Sequence, residues 1–414
     1  MGFIYNIVVR LLILGMKIGR FFNAKIKKGW EGRQQSESIL QKAFSPKDKV
    51  IWMHAASLGE YEQGLPVLEK LKEQYPAHKI LVTFFSPSGY ENIAKKEHIA
   101  NAVCYLPFDD DKSLDAFLSY FSPELFLTVK YDYWYHLFEK LRAQRVPIFV
   151  ISALFYKKQV FFKPYGKWFV RQLKKNVCCF FHQTEESCTL AKSIGIAQSH
   201  ISGDTRFDRV KTIRNRNNEV PYITAFKEEK KLVVFGSSWN SEEAVAEMAA
   251  SCSEAKIIIA PHDLKRIPIL KTIFPNALLY SGVNDEKELA SSNVLIIDCI
   301  GILSKLYAYA DIAVVGGGFH SLGLHNILEA ATFGIPVVFG NHYKKNPEAD
   351  TLIKNNGGKA FAKENDATQF VLKLIEDKAL RDSMGTNAKN FINSQANATE
   401  KVVSFIINNA HKCR

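Results

Sequence analysis

The sequence predicts an α/β protein of two doubly wound parallel-sheet domains with an apolar helix ahead of them. Three observations predict it. The chain has 414 residues, too many for one core and a natural length for two domains. Short apolar runs alternate with helical patterns, the mark of a parallel sheet covered on both faces. The alternation breaks at a polar, Asn-rich stretch, Arg214 to Glu219 with Pro221 close behind, and then restarts.

The runs of the first half are Val50–His54, Lys79–Phe84, Leu125–Val129 and Ile148–Ala153. Those of the second are Leu232–Phe235, Lys256–Ala260, Val294–Ile297, Ile312–Val315 and Pro336–Phe339. The expected division is therefore residues 1–33 as an apolar and basic segment, 34–215 as the first domain and 216–414 as the second. Ligands of such sheets lie at the carboxyl ends of strands, so chemistry is sought in the turns after each run.

The amino terminus is apolar from Met1 to Met16, interrupted by Arg10 and closed by Lys17. A spanning helix needs about 20 mostly apolar residues, which makes this segment short. It also lacks the leading positive charge and cleavage site of a secretory signal. An amphipathic or shallowly inserted helix fits better, with the globular part on the cytoplasmic side. A core helix followed by a solvated basic loop is the plainer alternative.

Charge supports the membrane reading. The net charge of +12 asks for an anionic partner. Residues 1–33 hold Arg10, Lys17, Arg20, Lys25, Lys27, Lys28 and Arg33 against Glu31 alone. Seven minus one gives six, half of the excess, placed beside the apolar run. Seven cysteines with no CxxC pair read as reduced thiols and argue against a structural zinc site.

The strongest local signal is the stretch from Asp311 to Glu329. A buried strand runs into Gly316, Gly317 and Gly318, then Gly323, then a helix expected to begin near His325. Glycines let backbone N–H groups approach a phosphate, and a helix amino terminus adds partial positive charge. Glu329 is placed to accept hydrogen bonds from a ribose, with Asn326 beside it. Tight strand–helix turns use glycine for geometry alone, which is the competing account. Companion turns are Gly203–Asp208 with Arg206, Gly236-Ser237-Ser238, and Pro261-His262 with Lys265 and Arg266.

In the first half, Ser57-Leu58-Gly59-Glu60 follows the first strand. Glu60 there can take a proton from an acceptor hydroxyl; an acid favoured by the helix dipole is the alternative. Lys157 to Lys175 is basic and aromatic with no acid, suited to lipid phosphates, a membrane surface or simply solvent. Asp109-Asp110-Asp111 mimics a metal-binding Asp-x-Asp but reads as a turn or helix start.

In this order, the motifs resemble those of the lipid A Kdo transferases, which move 3-deoxy-D-manno-octulosonic acid (Kdo) from CMP-Kdo. The resemblance rests on Lys28–Arg33, His54–Glu60, Thr83 with Ser86–Gly89, Leu106–Asp109, Gly203–Asp208, Gly236–Ser238 and Gly316–Glu329. It implies a GT-B arrangement of two Rossmann-like domains, inversion at the transferred sugar, and no cofactor or catalytic metal. It also implies Glu60 as general base, and Pro261, His262, Gly316, Gly317, Gly318, Asn326 and Glu329 as the CMP site, with Ser237 and Arg206 as further contacts. Ser57, Gly59 and Asp132 are implied to meet the acceptor. Implied partners are CMP-Kdo, a lipid A precursor and the cytoplasmic face of the inner membrane, with no nucleic acid.

One segment departs from the pattern. Many members have Glu-x-Glu-x-Trp-Pro-Asn, where this chain reads Lys130-Tyr131-Asp132-Tyr133-Trp134-Tyr135-His136. The first acid has become Lys130, so only Asp132 is left to carry a carboxylate. The nearest rival reading is another GT-B enzyme, a UDP-sugar transferase or a nucleotide-sugar 2-epimerase. RNA binding through Lys157–Lys175 ranks far below it, because a dedicated RNA module is absent from the pattern.

Overall fold

The apolar runs become strands because their residues are buried on both sheet faces. In the computed structural model, which describes residues 2–321, 323–344 and 346–413, the first sheet has seven parallel strands. They are β1 (Lys49–Ala55), β2 (Lys79–Phe84), β3 (Ala102–Tyr105), β4 (Ser122–Val129), β5 (Ile148–Ala153), β6 (Cys179–His182) and β7 (Ser199–Ile201). Their order is β3-β2-β1-β4-β5-β6-β7. The second sheet contains β8 (Lys231–Ser238), β9 (Ala255–Pro261), β10 (Leu278–Leu279), β11 (Val294–Ile296), β12 (Ile312–Val315), β13 (Val337–Gly340) and β14 (Gly358–Phe361). Its order is β10-β11-β9-β8-β12-β13-β14.

Each order reverses once, between β1 and β4 in the first sheet and between β8 and β12 in the second. At such a switch point the chain leaves adjacent strands in opposite directions and opens a crevice beyond their carboxyl ends. Glu60 follows β1, Lys130 and Asp132 follow β4, Ser237 ends β8, and Gly316 follows β12. Four of the expected turns thus fall at the two reversals.

The division into units differs from the sequence expectation. One unit runs up to Arg209 and resumes at Ala396, while Val210–Gln395 form the other. The helix Ala398–Asn409, expected in the second domain, belongs to the first. Its Val402, Val403 and Ile406 are buried with Val67, Leu68 and Leu71 of the helix Leu58–Gln74. Phe405 sets its ring against Phe181 at 5.3 Å. The basic segment Lys28–Arg33 is likewise no separate loop. It lies in the helix Ala24–Ala43, where Gly32 is buried against Tyr105.

The helix Gly2–Gly19 is long and apolar enough, with a mean hydropathy of 1.6, to cross a membrane by length and composition. One flank is nonetheless docked on the first unit. The Tyr5 hydroxyl donates to Asp109 Oδ2 at 2.5 Å, Asn6 Oδ1 lies 2.5 Å from His136 Nε2, and Val9 is buried. Phe3, Val8, Leu11 and Ile18 are each more than half exposed on other faces. A docked flank with an apolar flank left open has the form of a helix lying along a surface.

Candidate active site

In the first unit the site grows from the carboxyl ends of β1 and β4. Strand pairing sets His54 beside Thr83 of β2 and Thr128 of β4. Trp52 Nε1–H donates to Thr83 Oγ1 at 2.8 Å, and Thr83 Oγ1 lies 3.0 Å from His54 Nδ1. His54 Nε2 lies 2.5 Å from Asp132 Oδ2, which also accepts from Trp134 Nε1–H at 3.2 Å. A carboxylate only accepts, so the His54 proton is assigned to Nε2, leaving Nδ1 to accept from Thr83. Every member of this chain of hydrogen bonds is then satisfied.

Lys130 is held with φ at +62°, in the left-handed region. Asp132 is tied back when Thr128 Oγ1 donates to its carbonyl at 2.9 Å. The charge reversal at Lys130 therefore leaves a carboxylate at the site, oriented by a buried histidine. His54 and Thr83 were visible only as motif letters; their partnership with Asp132 was not.

Glu60 lies in the first turn of the helix Leu58–Gln74 and is only 6% exposed. Ser57, at the helix N-cap, donates its hydroxyl to Glu60 Oε2 at 3.3 Å and caps no backbone amide. Burial pushes the Glu60 carboxyl above the usual range and the Asp132 charge pushes it further, while Lys130 and His54 pull it back. A base raised toward neutrality is better matched to taking a hydroxyl proton. Gly59 is exposed, and a Cβ there meets no other atom, so the turn is open beside Glu60.

The acidic triplet is structural, as its reading as a helix start requires. Asp110 caps the helix Asp111–Leu118 by accepting from Ser113 N–H at 3.0 Å. Asp109 is 2% exposed and accepts the amides of His136 and Leu137 at 3.0 and 2.8 Å, in the first turn of the helix Tyr135–Ala143. Among the described residues no cluster of His, Cys, Asp and Glu is arranged to hold a metal ion.

In the second unit, β8, β9 and β12 bring Ser237, Pro261, His262 and Gly316 to neighbouring strand ends. Ser237 has φ at +53°, and His262 N–H donates to Ser238 O at 3.0 Å. A Cβ on Gly316 would collide with the Ser237 carbonyl, so this position accepts only glycine. Trp239 stacks on His262 with centroids 4.6 Å apart, and His262 meets His325 at the same distance. Burial lowers both histidines, His325 to about 4, so their rings form a neutral aromatic surface near pH 7.

Two expectations need correction here. The Gly317 amide, read as a phosphate donor, gives its hydrogen to Glu242 Oε1 at 3.0 Å. Glu242 is fully buried, also accepts from Trp239 N–H at 3.0 Å, and is pushed by burial up to about 7. The helix expected from His325 begins at Leu328 and ends at Ala331, because Asn326 Oδ1 accepts from Leu328 N–H and Nδ2 donates to Glu329. Asn326 and Glu329 are adjacent, as the spacing required. Leu322, inside this stretch, lies outside the described residues.

Arg206 belongs to the first unit, whereas the other residues expected around CMP belong to the second. Its Nε and Nη2 both donate to Asp204 Oδ2, at 2.9 and 2.7 Å.

Known proteins show what this chain is similar to. A family model described as 3-deoxy-D-manno-octulosonic-acid transferase (kdotransferase) matches residues 28–209. The chain is 27% identical to the 3-deoxy-D-manno-octulosonic acid transferase of Aquifex aeolicus, covering 81% of this chain and 89% of that one. It is 23% identical to the enzyme of the same name from Haemophilus influenzae, covering 88% of each. Among solved structures, UDP-GlcNAc 2-epimerase from Neisseria meningitidis superposes with a TM-score of 0.59 at 16% identity, covering 87% of this chain and all of that one. MurG from Acinetobacter baumannii does so with a TM-score of 0.53 at 14% identity, covering 87% and 99%. Those two likenesses establish the GT-B fold and nothing finer. By sequence the chain is similar, along most of its length, to relatives that carry the name 3-deoxy-D-manno-octulosonic acid transferase, and that similarity supports a glycosyltransferase activity.

Proposed function

We propose that this enzyme transfers Kdo from CMP-Kdo to a sugar hydroxyl of a lipid A precursor, with inversion and without a catalytic metal. The observation that carries the reading is Glu60: a buried carboxyl, raised by burial and by Asp132, at the sheet reversal of the first unit. Glu60 takes the proton of the acceptor hydroxyl as its oxygen attacks the anomeric carbon in a direct displacement. CMP leaves as a monophosphate, whose charge backbone amides and cations can stabilise. His54 and Asp132 set the field around Glu60 and so are positioning residues. Ser57 and Gly59 border the acceptor.

On this proposal, Ser237, Pro261, His262, Gly316, Gly317, Gly318, Asn326 and Glu329 receive CMP. The Trp239–His262–His325 surface offers a flat face to the base. Gly317 takes part by shaping the turn, since its amide is already engaged. Arg206 is retained as a further donor contact. The open flank of Gly2–Gly19, with Arg10 and Lys17, holds the enzyme at the cytoplasmic face of the inner membrane.

The test is transfer by purified protein given CMP-Kdo made in situ and a tetra-acylated lipid A precursor, with chelator present. The expected product is heavier by one or more Kdo units. No product from a protein that binds CMP would overturn the donor or acceptor assignment while leaving the fold intact.

A further inference from the structure

The basic, aromatic stretch absorbed by none of the foregoing folds around the helix Lys167–Asn176 of the first unit. The two faces of this helix border two different cavities. One, about 150 Å³, is walled by Tyr5, Tyr131, Trp134, Phe161 and Trp168. The other, about 800 Å³, is lined by Phe162, Lys163, Lys167, Arg171 and Lys174 with no acid in its wall. Phe161 borders both. Among the described residues those four cations form no ion pair, whereas the adjacent Lys175 is paired with Glu139 at 2.8 Å.

The small cavity has a second unusual property. Gln172 and Asn176 line it, and Gln172 Oε1 and Asn176 Oδ1 are buried with no hydrogen-bond donor. Asn176 Nδ2 already donates to Glu139 at 2.7 Å, which fixes the orientation of that amide. A buried acceptor left unmatched is costly, so a ligand carrying an N–H or O–H is favoured there over pure hydrocarbon. A space of this volume takes a guest about the size of benzene, on the order of six carbons. Tyr131 connects the cavity to the active site: after burial, the Glu60 charge is the next influence on its hydroxyl.

We infer that the helix Lys167–Asn176 is the acceptor-selecting element of the enzyme, with a phosphate of the lipid acceptor on its Lys167/Arg171/Lys174 face. An acyl chain bearing a hydroxyl or amide hydrogen lies on its Trp168/Gln172/Asn176 face. The inference rests on the lipid acceptor proposed above. It commits to the acceptor molecule itself, through charge complementarity and the unmatched oxygens, and not to the surrounding bilayer.

The experiment crosses two kinds of variant with three detergent-solubilised acceptors: phosphorylated with long chains, dephosphorylated with long chains, and phosphorylated with short chains. Lys167→Ala combined with Arg171→Ala removes exposed charges without touching a core. Its preference for the phosphorylated acceptor, read as a ratio of kcat/KM, is expected to collapse at least tenfold while the chain-length preference persists. Gln172→Trp fills the small cavity and is expected to do the reverse, with Trp168→Ala as a second variant should the first fail to fold. Parallel loss with all three acceptors, or no loss with any, overturns the inference. So does an equal loss of binding to anionic vesicles without acceptor, which makes the patch a membrane contact. The same ratios are read as acceptor binding by tryptophan fluorescence. A wild-type enzyme that transfers to no acceptor but keeps these binding preferences sinks the transfer reaction and supports the subsite.

Discussion

Asp132 and His54 lie 78 positions apart in sequence, yet Asp132 Oδ2 and His54 Nε2 are 2.5 Å apart at the point where the first sheet reverses direction. Both groups act on Glu60, and they act with opposite sign: the Asp132 charge raises its carboxyl and the His54 ring lowers it. The pair thus sets two opposed electrostatic influences beside the proposed base.

Glu60→Gln removes the base and keeps the shape. Transfer is expected to fall about 10²–10⁴-fold, while CMP binding by equilibrium titration stays within a small factor. Stability moves the other way. A carboxyl raised on folding binds more protons in the native state, so stability is lost as pH rises from the ordinary glutamate range through the raised value. Glu60→Gln is therefore expected to melt higher than wild type at pH 7 and to lose that advantage near pH 4. An unchanged rate would end the base assignment.

The neighbours of Glu60 predict shifts of opposite direction. Asp132→Asn removes a charge that raises Glu60, so the acid limb of the kcat/KM profile is expected to move to lower pH. Lys130→Glu replaces a charge that lowers it, so the limb is expected to move to higher pH. Both profiles moving the same way would show that the limb belongs to a different group. Asp132→Ala should also cost about 1–3 kcal/mol in denaturant unfolding, because His54 loses its partner inside the protein.

Tyr5 and Asp109 join the amino-terminal helix to the first unit. Tyr5→Phe is expected to cost about 1.5–3 kcal/mol, the range for a hydrogen bond to a carboxylate. Asp109→Ala is expected to cost about 2–3 kcal/mol, since it also uncaps the helix Tyr135–Ala143. Leu11→Glu, on the open flank, should leave the melting temperature within about a degree and weaken binding to anionic vesicles. Equal vesicle binding by this variant would detach the helix from any membrane role.

Truncation after Gln395 tests the division into units. It strips Val402, Val403 and Ile406 from Leu68 and Leu71 and exposes that face of the first unit. The first unit is expected to lose cooperative unfolding, while Val210–Gln395 retains its transition in calorimetry. Loss of both transitions together would show the two units to be one folding entity.

Long apolar runs made most of the fold legible, because a strand buried on both faces carries its signal in every residue. The strands β3, β6, β7, β10 and β14 are absent from the sequence expectation. Ser199-His200-Ile201 and Gly358–Phe361 are short edge strands with polar or glycine residues, held by a neighbour's backbone more than by their own hydrophobicity. Glu60 was legible because it stands in the turn after a strong strand. His54 with Asp132, and Gly317 with Glu242, were not, because only the parallel pairing of distant strands brings them together. The glycine run shows the limit of composition: it announced a tight turn, and a buried glutamate decides where its amide points. The helix Ala398–Asn409 carried a clear helical pattern but no mark of which sheet it covers.

That last helix also sets an order of events. The chain passes from the first unit to the second near Arg209 and returns near Ala396, so the second unit is an insertion within the first. On the ribosome, residues 210–395 are fully synthesised before the partner of Leu68 and Leu71 has emerged. The unit that begins the chain must wait, with an apolar helix face uncovered, until its end is made. The later unit in sequence is thus the earlier one able to finish folding, and the surface at risk of misassociation during synthesis lies on the helix whose first turn holds Glu60.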